Sequence, residues 1–196
     1  MATHPVRSGD ALVVVDVQND FLPGGALAVP EGDQVIEPLN RGIALFRRRG
    51  LPIFFTRDWH PHNHCSFREQ GGPWPPHCVA ETNGAEFPPE LDTAGQAVVI
   101  SKATSPEKDA YSGFEGTNLA ERRRAQQVNR IVVGGLATDY CVLNTVRDGL
   151  RLGFSVLLME DAVRAVAVDV QAEDGQRAAA EMRRLGARLI ASESLD

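Results

Sequence analysis

Four of the five histidines, His60, His62, His64 and His77, crowd into one stretch of this 196-residue chain. Asp58 and His60 stand two apart on a segment that reads as extended, so their side chains point to the same side. His77 returns after the Gly/Pro-rich run QGGPWPPH. One carboxylate and two imidazoles suit Zn, Mn or Fe. Oxygen and imidazole donors with few thiolates favour an open catalytic site over a closed structural one. His64 offers a further ligand or a donor behind one, whereas His62 reads as solvent-facing. The plainer alternative for any one of these rings is a hydrogen-bonded loop histidine.

A second set of reactive types lies at the ends of apolar runs. Asp16 follows Leu12 to Val15, and a carboxylate so close to a buried layer is costly unless paired. With a cation beside it, it would be a proton acceptor with a tuned pKa; otherwise it is a structural acid. Lys102 ends another apolar run and, next to a carboxylate and a thiol, would stabilise both anions. Cys141 falls in the first turn of a predicted helix, where the dipole and free N–H groups lower a thiol pKa and could hold an oxyanion. Its alternative is a small buried hydrophobe, which is how Cys65 and Cys78 read, since neither opens a helix. Phe21 and Trp74 frame the same region. They are either ordinary packing or the two faces of a clamp for a flat ring.

The elements that must position these residues follow from periodicity. ALVVVDV (11–17) reads as a strand buried on both faces. Residues 34–49 place Val35, Ile36, Leu39, Ile43 and Phe46 at helical spacing, with Pro38 near the start and Gly50 at the end. Further strands are predicted at 52–58, 97–102, 130–135, 154–161 and 187–190, and helices at 117–127, 138–152 and 171–185. Thr117 is the predicted cap of the first of these helices, and Glu160-Asp161 the predicted end of the fifth strand. The alternation calls for an α/β fold: a three-layer α/β/α architecture around a mostly parallel, doubly wound sheet of about six strands. Such sheets bind ligands beyond the carboxyl ends of their strands, which is where Asp16, Lys102 and Cys141 fall. Residues 59–92 break the rhythm with six prolines and three glycines, and an ordered loop of that length is usually functional. Residues 1–196 read as one domain with an insertion at about 57–92.

Composition narrows the partners. Hydrophobic residues make up 43% and charged residues 23%, with a net charge of −6, which argues against a phosphate-neutralising nucleic-acid face. The basic run Arg122-Arg123-Arg124 reads as a solvated helix face. No stretch is long and apolar enough for a membrane span, and no secretory h-region precedes the first strand. An odd number of cysteines, three, gives no disulfide framework, so a reduced, cytoplasmic chain is expected. Gly134-Gly135 matches neither a dinucleotide fingerprint nor a phosphate loop, and no organic cofactor is expected.

The segments VVVDVQNDFLPGGALAV, TRDWHPHNHCSF, GGPWPPHCV, KDAYSGF and VVGGLATDYCV together resemble the nicotinamidase/pyrazinamidase branch of the isochorismatase-like cysteine hydrolases. The resemblance implies a catalytic triad of Asp16, Lys102 and Cys141. It implies one divalent metal ion on Asp58, His60 and His77, zinc first and manganese or iron after it, with His64 near a position that ligates in some members. Phe21 and Trp74 match residues that clamp a pyridine ring. Leu136–Ala137 matches a cis peptide that turns the N–H groups of Ala137 and Cys141 into an oxyanion hole. Ala103 stands where many members carry glycine. The implied reaction is hydrolysis of nicotinamide, and of pyrazinamide, through a Cys thioester, serving NAD salvage. The implied partner is a small-molecule substrate, and a homo-oligomer is compatible with it. A related amidase acting on a carbamoyl or ureido compound is the alternative. A two-His-one-carboxylate iron oxygenase would use the same ligands but leaves the Asp16, Lys102 and Cys141 convergence without a role.

Overall fold

A computed structural model describes residues 3–93, 95, 98–166 and 174–196, the side chains of 123–125 excepted. Six strands, β1 (Asp10–Val15), β2 (Ile53–Asp58), β3 (Val98–Lys102), β4 (Arg130–Leu136), β5 (Ser155–Arg164) and β6 (Arg188–Ile190), form one sheet in the order β3-β2-β1-β4-β5-β6. Every pairing is parallel. The order reverses beside β1, so β1 and β4 flank the switch point where such sheets open a ligand crevice.

Alternate residues of β1 feed two cores. Leu12 and Val14 join α1 (Ile36–Arg48) on one face. Ala11, Val13 and Val15 face α2 (Leu119–Ala125), α3 (Leu143–Arg151) and α4 (Asp174–Leu185) on the other through Leu119, Val146 and Met182. Burial on both faces is why these strands are unbroken apolar runs rather than alternating ones. The helix predicted at 34–49 begins as a 3-10 turn (Gly32–Val35), and Pro38 sits in the first turn of α1, where its missing N–H has no helical partner to lose. Val35, Leu39, Ile43 and Phe46 are fully buried, and Ile36 partly so. The Thr117 hydroxyl accepts from the Leu119 amide at 3.3 Å, but α2 starts at Leu119 and the Asn118 carbonyl accepts its first bond, so Thr117 stands one residue before the cap it is predicted to be. Residue 97 of the third predicted strand, residues 171–173 of the last predicted helix and the side chains of Arg123 and Arg124 lie outside the described part.

Most element ends fall within two residues of expectation, as in α2 at 119–125 rather than 117–127; one strand end differs by three. The fifth strand does not end at Glu160-Asp161 but runs on to Arg164. Its pairing with β6 stops at Met159, while Val163 and Arg164 pair with Gly135 and Leu136 of β4 after a register shift. Beyond β6 the strand has an open flank, so Glu160 is exposed and Asp161 bonds Ser192, just past the end of β6. Among the described residues no helix is long and apolar enough to cross a membrane.

The shift is tied to Gly135. Its φ of +126° and its closeness to β1 leave no space for a side chain: a Cβ there would stand 2.1 Å from the Val15 carbonyl oxygen. Backbone cannot yield as a side-chain tip can. Gly135→Ala is therefore expected to cost about 3 kcal/mol, a fall in Tm on the order of 10 °C, measurable by thermal melts.

Candidate active site

Asp16 leaves β1 at its carboxyl end in the left-handed region, with φ +48°, and is fully buried. Its Oδ1 accepts from the Thr56 hydroxyl at 2.6 Å. Lys102, the last residue of β3, reaches inward from across β2 and is also buried. Its Nζ lies 2.5 Å from Asp58 Oδ1, 3.0 Å from the Ala110 carbonyl, 3.4 Å from Cys141 Sγ and 3.1 Å from Asp16 Oδ2. An ammonium has three protons, and they go to Asp58, Ala110 and the sulfur. Asp16 Oδ2 is left at ion-pair distance without one of the ammonium protons, and the group placed to donate to Asp16 is the Cys141 thiol. Carboxylate oxygens of Asp16 and Asp58 and the Cys141 sulfur all lie within 4.8 Å of one another. That acidic cluster has the look of a cation site, and its cation is Lys102.

Cys141 sits in a π-helical turn (Thr138–Val142) that precedes α3, in which Val142 N–H reaches back to the Ala137 carbonyl at 3.1 Å. Leu136–Ala137 is a cis peptide. The wide turn is a common device at functional sites. The thiol pKa differs in direction from the helix-dipole expectation. Burial raises it well above the ordinary range; Lys102 opposes this, and Asp16 and Asp58 add to it. A local dipole does not overcome desolvation among two carboxylates. The resting group is thus a thiol, and it needs a base. Burial likewise raises the Asp16 pKa, against the opposing field of Lys102. For Lys102 burial acts downward, but Asp16 and Asp58 outweigh it and keep the ammonium charged.

Asp58 turns its other oxygen to the histidines. Asp58 Oδ2 lies 3.8 Å from His60 Nε2, and donor atoms of Asp58, His60 and His77 all fall within 4.8 Å of one another. All three side chains are buried. His77 Nδ1 stands 2.8 Å from the Pro75 carbonyl and His60 Nδ1 3.3 Å from the Ala103 carbonyl. A carbonyl only accepts, so each Nδ1 carries the proton and each Nε2 keeps its lone pair. Burial, with the neighbouring histidines, lowers the His60 pKa to about 3, so the ring is neutral, as a ligand must be. These three residues fit a divalent ion. His64 stacks on His60 with ring centroids 4.2 Å apart, and its two nitrogens face Ser66 Oγ and the Lys108 carbonyl, so it stands behind the set rather than in it. His62 is exposed. Ala103 takes φ +51°, the left-handed geometry that glycine accepts more readily, and keeps its carbonyl on His60.

The aromatic pair divides between the two halves. Phe21 packs on His77 at 5.6 Å, and Trp74 packs edge-on against Tyr140, the neighbour of Cys141, at 5.2 Å. Sequence reasoning missed several supports. Phe67 is wedged among His60, His64 and His77, with centroids 5.5–5.7 Å away. Tyr111 accepts from the Trp74 indole N–H at 3.1 Å. Thr56 holds Asp16, Gln18 bonds the Asp58 backbone and the Ala85 carbonyl, and Asp20 bonds the Cys78 amide. All five lie inside the segments that carry the family resemblance, which is the one signal that could have found them.

An isochorismatase domain model matches residues 10–194. The chain is 40% identical to a nicotinamidase of Escherichia coli K12 over 91% of its length and 93% of that protein's. A Pyrococcus horikoshii pyrazinamidase, solved in complex with zinc, superposes with a TM-score of 0.89 at 52% identity, covering 93% of this chain and 99% of that one. PnC1 of L. infantum, solved in complex with nicotinate, superposes with a TM-score of 0.90 at 36% identity, covering 100% and 99%.

Proposed function

The chain belongs to the isochorismatase family, and from that membership we propose that it is an amide hydrolase converting nicotinamide to nicotinate and ammonia, with pyrazinamide as a second substrate. The observation that carries the chemistry is the meeting of Asp16, Lys102 and Cys141 around one buried ammonium, with Asp58 shared between that ammonium and the histidines. The protein works as a single domain whose 57–92 loop brings the ligands and Trp74 to the sheet edge.

Asp16 takes the Cys141 thiol proton onto Oδ2, the oxygen that receives none of the ammonium protons. The sulfur attacks the carboxamide carbon, and the N–H groups of Ala137 and Cys141 hold the oxyanion. Asp16 returns its proton to the departing nitrogen as the C–N bond breaks, releasing ammonia. It then takes a proton from water, whose oxygen attacks the thioester and frees nicotinate and the thiol. Lys102 balances the charge that moves between Asp16 and Cys141. Phe21 and Trp74 clamp the ring. Asp58, His60 and His77 would hold the divalent ion, zinc first among the candidates. When bound, that ion supplies a Lewis-acid anchor for the ring nitrogen.

Ammonia release from nicotinamide, pyrazinamide and a ureido compound, before and after chelation, tests this reading. Release from the ureido compound alone would overturn it. Asp58→Ala is expected to lose metal first and about 100-fold or more of turnover with it, as judged by metal analysis beside the ammonia assay. Full metal content in that variant would count against the ligand set.

A further inference from the structure

The five residues that follow β1 carry more than the proton acceptor. Carbonyls of alternate residues along β2, from Pro52 just before it, face β1: the Leu12 amide donates to Pro52 and the Asp16 amide to Thr56, at 3.0 and 3.1 Å. By the same alternation Asp58 presents its N–H and C=O toward β1. But β1 has already left, because Asp16 turns into the left-handed region there. The Gln18 side chain takes the place of the missing strand. Its Nε2 donates to the Asp58 carbonyl at 2.8 Å, and its Oε1 accepts from the Asp58 amide at 2.8 Å. The second Nε2 proton goes to the Ala85 carbonyl at 2.8 Å. The amide is wholly buried.

Asp20 does the same for the other arm of the loop. Its Oδ2 accepts from the Cys78 amide, next to His77, at 2.7 Å. Gly84 is glycine to make room for it: a Cβ there would lie 2.1 Å from that oxygen.

We propose that Gln18 and Asp20 are positioning residues that fix the ligand-bearing backbone at Asp58 and at His77-Cys78, and so set the affinity of the Asp58/His60/His77 set for a divalent cation. This rests on the metal reading given above. Groups one shell behind a metal commonly act this way, because ligands held in place bind without first being ordered. The turn that aims Asp16 at the thiol also empties the strand position that Gln18 fills. One short segment thereby mounts both halves of the site.

The test is zinc affinity of the intact protein, measured by competition with a chelating dye, beside its Tm. Gln18→Met keeps the length and removes all three bonds; it is expected to bind zinc about 10- to 100-fold more weakly. Asp20→Ala is expected to lose about 10-fold, and Asp20→Asn, which keeps the acceptor, to stay within about threefold of the parent. Asn40→Leu is the control. Asn40 is also doubly bonded to backbone, at Glu90 and Asp92 at the far end of the loop rather than beside Asp58 or His77, so its loss should lower Tm and leave zinc affinity unchanged. Should Gln18→Met fail to fold, the Asp20 pair decides. Unchanged affinity in Gln18→Met, or equal losses in Asp20→Ala and Asp20→Asn, overturns the positioning role. A parent protein that takes up no zinc overturns the metal reading itself, and the inference with it.

Discussion

Replacing Cys141 by alanine is expected to cut ammonia release from nicotinamide by about 10⁴-fold or more, because the covalent route then has no nucleophile. The fold should tolerate the change. The sulfur lies among two carboxylates and an ammonium, and alanine removes a small group that receives one lysine proton and faces Asp16, while Lys102 keeps its ion pairs. Asp58, His60 and His77 stay as they were, so metal content should match the parent. Cys141→Ser tests the same step more sharply. A hydroxyl fits the space, but it gives up its proton to Asp16 far less readily than a thiol, and turnover should remain close to that of the alanine variant. Acid quenching of the parent during turnover should trap a nicotinoyl adduct on Cys141, visible by mass spectrometry and missing in both variants. Full turnover in Cys141→Ala would end the thioester scheme, whatever became of the metal reading.

That experiment bears on the thiol more than on the fold, and the two were legible to different degrees. The central strands β1, β2 and β4 announce themselves as apolar runs because they are covered on both faces, and the strand ends put Asp16, Lys102 and Cys141 at one edge from the sequence alone. The end of β5 was misplaced for a physical reason. Charge at Glu160-Asp161 looks like a terminus, yet it only marks where β6, three residues long, stops covering the flank. The thiol pKa went the wrong way because a helix dipole is local information, while burial beside Asp16 and Asp58 is assembled from distant segments. Gln18 and Asp20 escaped notice likewise: their partners lie 40, 67 and 58 residues away. Nothing in their own neighbourhood says that a polar side chain will stand in for a strand. Asp58 read only as a ligand, and its bond to Lys102 explains why the proposed metal set and the proposed triad touch.

Lys102 is where that contact can be broken, and Lys102→Met is expected to damage stability and turnover together. The ammonium is buried and is the only cation at ion-pair distance from both Asp16 and Asp58 among the described residues. Methionine keeps much of the bulk and leaves two carboxylates facing each other out of water. Removing one partner of a buried ion pair costs about 3–5 kcal/mol, so Tm should fall steeply. Turnover should drop by about 10³-fold, since Asp16 then tends to hold a proton and can no longer accept one from the thiol. Lys102→Arg should rescue neither property. The acceptors surround a single point, at 2.5, 3.0 and 3.4 Å, which suits a compact ammonium and not a planar fork. The double variant Lys102→Met/Asp16→Asn separates the two effects. With one stranded charge neutralised, melting should recover by about 1–3 kcal/mol, while ammonia release stays lost because the base is gone too. A Lys102→Met protein that melts like its parent and still turns over nicotinamide would show that Asp16 needs no cation, and the charge balance assigned to this site would fall.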